Sequence, residues 1–196
     1  MGIGHKNIKQ INFFSSNWKH QLSHGGELRK KQLGRGQRPL STKDPIHVVF
    51  KVRRFRLHCK SLRAPKNFRN VNKLIEKYAK HFYIKVEQVS VQSDHIHLLI
   101  RTTRRRNFQS FFRVFSGQIA QSFALQGLLS TMTDTLGNDN RLWKSRPFSR
   151  VVRGWKSYSI VRDYIQLNEM EATGKIKYRK SRLRGMSTSD WQILWT

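Results

Sequence analysis

His95 and His97 stand one residue apart in the run His95-Ile96-His97-Leu98-Leu99-Ile100-Arg101, whose apolar content and spacing predict a β-strand. Side chains alternate across a strand, so the two imidazoles share one face while Ile96, Leu98 and Ile100 enter the opposite layer. Two neutral imidazoles at one spot suit a divalent cation such as manganese or zinc. The same pattern also describes two half-exposed histidines on a polar sheet face, so a further group is needed. Tyr164 and Asn168 supply it, standing at i and i+4 on a predicted helix with Cβ atoms about 5–6 Å apart. If that helix crosses the histidine face, a phenol and a carboxamide meet the imidazoles. Asn168 then completes a three-ligand site with open positions for phosphate oxygens, and Tyr164 is the nucleophile. Taken singly, Tyr164 between Val161 and Ile165 reads as a core aromatic and Asn168 as a surface polar residue; their conjunction with the histidines favours chemistry.

The elements that must position these groups follow in order. Pro45 precedes Ile46-His47-Val48-Val49-Phe50-Lys51-Val52-Arg53, a β-branched first strand. Residues 66–81 carry Phe68, Val71, Leu74, Ile75 and Tyr78 at helical spacing. A second strand is expected over 82–92, and Ser93-Asp94 turns it into the histidine strand as a hairpin. Residues 107–126 are helical, with Phe108, Phe111, Phe112, Phe115, Ile119 and Phe123 on one side, and 131–140 is polar and irregular. A fourth strand lies between Trp143 and Arg153, and a last helix over 156–173 ends near Gly174. Strand, helix, strand, strand, helix, strand, helix suits an α+β fold, an antiparallel sheet with helices on one face in the split βαβ manner.

Lys and Arg number 39 against 11 Asp and Glu, a formal charge of +28, and such self-repulsion points to a polyanion, nucleic acid, as partner. No apolar run is long enough to span a membrane, and the first residues lack a signal-peptide core and a myristoylation motif, so a cytoplasmic, nucleoid-associated protein is expected. The single cysteine, Cys59, excludes an intrachain disulfide and a cysteine-rich zinc site. One catalytic domain is expected over 45–173, between a basic arm over 1–44 and a basic tail over 174–196. Aromatics lie among cations: Phe55 beside Arg53, Arg54 and Arg56, Phe148 between Arg146 and Arg150, and Trp155 beside Arg153 and Lys156. Such mixtures suit base stacking with backbone neutralisation, although the rings also suit a core with a solvated cationic rim. Arg104, Arg105 and Arg106, following the histidine strand, are placed to hold phosphate near a metal.

Pro45-Ile46-His47-Val48-Val49-Phe50, Ser93-Asp94-His95-Ile96-His97-Leu98-Leu99-Ile100, Trp143-Lys144-Ser145-Arg146-Pro147-Phe148 and Val161-Arg162-Asp163-Tyr164-Ile165-Gln166-Leu167-Asn168 occur in this order. Together they resemble the single-tyrosine transposases with a His-hydrophobic-His motif, the HUH-type endonucleases, and among them the REP-associated tyrosine transposases. The resemblance covers roughly residues 40–172. It implies a ferredoxin-like fold, with His95, His97 and Asn168 as ligands of a divalent ion, magnesium or manganese, and Tyr164 as nucleophile. Many relatives carry Gln where Asn168 stands. The implied reaction cuts single-stranded DNA, leaving a 5′-phosphotyrosine link and a 3′-hydroxyl that later rejoins strands without ATP, consistent with the absence of a phosphate-cradling Gly-rich motif. The implied substrate is a palindromic-repeat hairpin with a short single-stranded flank, bound by a monomer or homodimer. Two other readings stand beside it. One is a replication-initiation or conjugative nickase, which often has a second nearby tyrosine or a third histidine; Tyr158 precedes Tyr164 but has Arg162 at i+4. The other is a non-catalytic RNA- or DNA-binding module on a ferredoxin-like sheet, which would show aromatics where this strand shows histidines.

Overall fold

Alternation of apolar and polar residues drives the centre of the sheet, as expected for strands that bury one face. In the computed structural model, which describes residues 24–25, 38–57, 61–130 and 141–195, five strands form one antiparallel sheet. They are β1 (His24–Gly25), β2 (Ile46–Lys51), β3 (Lys85–Val91), β4 (His95–Arg101) and β5 (Phe148–Val151), in the spatial order β1-β5-β2-β4-β3. The histidine strand β4 therefore lies inside the sheet, paired to β2 and β3. Its partners put Val49 and Ser90 opposite His97, Lys51 opposite His95, and His47 opposite Leu99. A register shift between Val86 and Gln88 marks an irregularity in β3.

The helices are α1 (Pro65–His81), α2 (Arg105–Leu125), α3 (Trp155–Ala172) and the short α4 (Thr188–Leu194). Ile46, Val48 and Phe50 of β2 and Ile96, Leu98 and Ile100 of β4 enter the main core together with Val71 and Ile75 of α1 and the α2 phenylalanines. Phe50 lies edge-on to Phe115 and Phe112, with ring centroids 5.1 and 6.2 Å away. These two helices on the apolar face give the α+β, ferredoxin-like layering expected from sequence. Helix α3 crosses the other face, where Val161 and Ile165 pack on Leu99 and Val152.

Boundaries differ from the sequence expectation for local reasons. The first strand stops at Lys51, because Val52 makes an isolated bridge to Trp143 and the chain enters a 3₁₀ turn over Arg54–Arg56. The second begins at Lys85, since Tyr83 adopts φ 51° just before it. Helix α2 starts at Arg105, so Arg105 and Arg106 belong to its first turn. Helix α3 ends in a Schellman arrangement: Gly174 takes φ 77°, Lys175 N–H donates to Met170 O at 2.9 Å and Gly174 N–H to Glu171 O at 3.1 Å. Beyond it the basic tail folds back, with a 3₁₀ turn over Arg182–Gly185 and then α4, opened by a Ser187/Asp190 capping box. Leu167, Ile176 and Leu194 join this segment to α3. Most of the arm expected over 1–44, Cys59 and the irregular stretch 131–140 lie outside the described residues.

Candidate active site

The face of the sheet opposite the main core is polar: Gln88 and Ser90 alternate along β3, with Gln92 just past its end, beside His95 and His97 on β4 and His47 on β2. Helix α3 is seated on it largely by hydrogen bonds. Ser90 Oγ donates to Glu169 Oε2 at 3.1 Å, Gln92 Nε2 donates to Asn168 O at 2.8 Å, and Gln88 bonds Gln166. Arg63 adds a 2.9 Å bond from Nη1 to Glu169 Oε1 while also donating to Val91 O. This seat sets the rotation of α3 and turns Tyr164 toward the histidines. The helix enters it from Gly154, whose φ 76° and ψ 157° lie in a region open essentially to glycine.

The rings of His95 and His97 meet edge to face with centroids 4.7 Å apart, and the Tyr164 ring stands edge-on to His97 at 5.7 Å. His95 Nδ1 lies 2.6 Å from Asp94 Oδ1. An ionised carboxylate only accepts, so Nδ1 donates and Nε2 is the ring nitrogen turned away from Asp94. Partial burial works to raise the Asp94 carboxyl, but the His95 bond and charge together with Lys51, 3.6 Å away, hold it below the usual range. His97 Nδ1 lies 3.0 Å from His47 Nε2, the two rings stacked at 5.3 Å, whereas His97 Nε2 is buried with no hydrogen-bond partner. Burial first, then Arg150, pushes His47 down to about 4. Burial, with His47, His95 and Arg182 around it, holds His97 well below the usual imidazole range. Both rings are thus neutral at pH 7, the state in which imidazole binds metals.

Asn168 is buried one turn after Tyr164. Its amide donates to Tyr164 O at 2.8 Å, and its Oδ1 accepts from Arg182 Nη2 at 2.5 Å. Arg182 also holds both Glu171 oxygens, at 2.9 and 2.7 Å, and its guanidinium carbon lies 5.3 Å from the Tyr164 ring centroid. The histidine pair fits a divalent cation, because the orphaned His97 Nε2 is the kind of buried acceptor that a metal satisfies. Asn168 Oδ1 is engaged by Arg182 in this arrangement, which leaves its second lone pair as the acceptor for such a cation. Among the described residues no group of three or more His, Cys, Asp and Glu could hold a metal by itself, so the set depends on a carboxamide or on external oxygens.

The structure thus sets the Tyr164 ring against His97 and His97 against His95, while Asn168, one turn further along α3, bonds Arg182 and the Tyr164 carbonyl. Tyr158 lies elsewhere, stacked under Trp155 at 5.5 Å, its phenol pushed up by burial and by Glu87, which makes it a poorer nucleophile. Of the cations named from sequence, Arg54, Arg104, Arg106, Arg146, Arg150 and Arg153 are exposed and Arg53 is half-buried. Arg56 is buried, and Arg105 donates to Leu40 O and Arg38 O at 3.1 and 2.6 Å, pinning the chain that leads into β2. Phe148 lies edge-on to His47 at 6.4 Å. Sequence reasoning missed His47 and Arg182. For His47 the signal was present: strand alternation puts it on the polar face of a strand that then pairs with β4. Arg182 carried none, sitting in a basic tail among similar residues.

A family model described as "Transposase IS200 like" matches residues 43–168. No curated protein matches the chain. Among solved structures, a REP-associated tyrosine transposase bound to a REP hairpin is similar in fold, with a TM-score of 0.55 at 16% identity over 74% of this chain and 77% of that one. A Deinococcus radiodurans R1 protein described as a candidate transposase aligns with a TM-score of 0.42 at 13% identity, over 70% of this chain and 98% of that one.

Proposed function

This chain belongs to the IS200-like transposase family, and from that premise we propose that it nicks and rejoins single-stranded DNA by covalent catalysis at Tyr164, with a divalent ion, magnesium or manganese, held by His95, His97 and Asn168. The observation that carries the proposal is the convergence of two distant segments: a phenol from α3 stands edge-on at 5.7 Å to a buried imidazole of β4 whose Nε2 has no partner. A core tyrosine would not need a pair of strand histidines and a buried carboxamide close by.

The chain's own groups divide the work. Helix α3, fixed by Glu169 and Gln92 on the sheet, presents the Tyr164 oxygen to the scissile phosphorus in a set orientation, converting attack into a local event. As the tyrosyl O–P bond forms, the phenol loses its proton; as the P–O3′ bond breaks, the departing 3′-oxygen takes one up. The product is a 5′-phosphotyrosine and a free 3′-hydroxyl, and return of that hydroxyl rejoins a strand at no net cost in phosphodiester bonds. A divalent ion bound here supplies Lewis-acid stabilisation of charge on the non-bridging phosphate oxygens. His47 holds the His97 ring from behind, and Asp94 holds the His95 ring, so that their outer nitrogens keep fixed directions. Arg182 engages Asn168 Oδ1 in the arrangement described, so the ion would take the second lone pair of that oxygen.

For the substrate we infer a palindromic-repeat hairpin with a single-stranded flank, as in the structural relative, whose DNA is a REP hairpin. The charge of +28 and the exposed Arg146, Arg150 and Arg153 around β5 support a polyanion at this end of the molecule. In this reading residues 45–173 form the catalytic domain and the flanking basic segments grip DNA. Incubating the protein with labelled single-stranded DNA and manganese tests the chemistry. A covalent adduct is expected, abolished in Tyr164→Phe and kept in Tyr158→Phe. An adduct indifferent to Tyr164→Phe removes Tyr164 as the nucleophile, and none with the native chain on any hairpin with a single-stranded flank overturns the reading in favour of a binding module.

A further inference from the structure

One turn before Tyr164, the outer side of α3 forms the wall of an open cleft of about 480 Å³. Trp155 and Ile160 of α3 face Leu183 and Trp191 of the folded-back C-terminal segment across it, with Lys156 and Arg184 at its edges. The apolar groups are unusually bare: Trp155 is 74% exposed, Ile160 52% and Trp191 39%. Large exposed aromatics in one place mark a binding surface rather than a core. Trp155 is also preformed as a platform, because it stacks on Tyr158 at 5.5 Å with planes inclined by 26°. Its flat outer side is thereby held in a fixed direction.

The occupant is narrowed by charge. A second copy of this chain would bring another +28 to a cleft that already carries Lys156 and Arg184, so self-association is opposed by electrostatics. The acid that lines the cleft, Asp163, is neutralised by Arg162 through bonds of 3.0 and 2.9 Å to its Oδ1. What remains is aromatic walls with cationic edges, the combination that accepts a base on a ring and its phosphates on the rim. Position agrees. Ile160 and Tyr164 are i and i+4 on one helix, so the near end of the cleft lies about 6 Å along the helix from the nucleophile, and Trp155, nine residues before it, about 13.5 Å.

We propose that this cleft is a nucleobase-stacking subsite, in which Trp155 and Trp191 hold an unpaired nucleotide flanking the phosphate presented to Tyr164. The inference rests on the single-stranded-DNA reading above and adds to it a place for the flank. One wall, from Trp155 to Asp163, lies within the matched residues 43–168, and the other, Leu183, Arg184 and Trp191, lies beyond them.

The test is fluorescence anisotropy with the full chain and three labelled probes: a hairpin with a single-stranded flank, the same hairpin without it, and the flanked hairpin carrying an abasic site in the flank. Trp155→Ala is expected to weaken flanked-hairpin binding by about tenfold or more and to leave the unflanked hairpin unchanged, as loss of one stacked base would. Trp155→Phe, which keeps a flat ring, should restore most of the affinity. On the abasic probe, wild type and Trp155→Ala should converge. Equal loss on flanked and unflanked hairpins, no loss with either Trp155→Ala or Trp191→Ala, or sedimentation showing that the tryptophans hold a dimer together would overturn the subsite. Failure of wild type to favour the flanked hairpin while still forming the Tyr164 adduct sinks the subsite alone; absence of the adduct sinks the catalytic reading instead.

Discussion

Single side chains decide the chemistry here, and they differ in how plainly the sequence showed them. His95, His97, Tyr164 and Asn168 were readable because their spacings, two on a strand and four on a helix, fix shared faces without tertiary knowledge. His47 and Arg182 were not, since each matters only through pairing: His47 through the β2–β4 register, and Arg182 through a turn at φ 55° that returns it over Tyr164. His47 carries a prediction of its own. A buried imidazole 3.0 Å behind His97 keeps that ring in one orientation and tautomer. His47→Leu, which fills the space without an acceptor, should weaken manganese binding by roughly 10–100-fold in titration calorimetry. His47→Gln, which keeps an acceptor, should lie between the two. Equal affinity of wild type and His47→Leu would remove His47 from the site.

Elements were legible in proportion to their length and periodicity. Helix α2, with six phenylalanine and isoleucine positions on one side, is located to within two residues, and the histidine strand at its observed bounds. Helix α4 was missed because seven residues give barely two turns and little pattern; its one signal was the Ser187-to-Asp190 spacing of a capping box. The face taken by α3 could not be read from α3 itself, whose few apolar positions pack on Leu99 and Val152 while its remaining bonds go to polar β3 residues. Its start is more sharply determined. At Gly154 a Cβ would meet open space, so the cost of adding one comes from φ 76° alone. Gly154→Ala should therefore lower stability by about 1–3 kcal/mol in urea denaturation, and it should reduce adduct formation beyond that loss by misdirecting the helix that carries Tyr164. An unchanged midpoint would mean that this turn relaxes freely.

At the scale of the whole molecule, composition spoke clearly for a polyanion partner, and the strand-helix order for the layered α+β architecture. What it left open was how the two halves of the site are held. Two aromatic-rich helices and the buried faces of β2 and β4 form one dry core, whereas α3 rests on a surface of glutamine, serine and glutamate bonds that water can replace. His97 sits in the middle of the sheet, with strands bonded on either side. In hydrogen–deuterium exchange, amides of His97 and Leu99 should then open only when the entire domain does, while those between Val161 and Leu167 open earlier. Uniform protection across both would count against a separable helix. With the proposed nucleophile on the looser half and the imidazoles on the tighter one, mild denaturant, or a ligand wedged beneath α3, would act as an off-switch: the proposed strand cutting would cease while the protein, by every bulk measure of folding, still looked native.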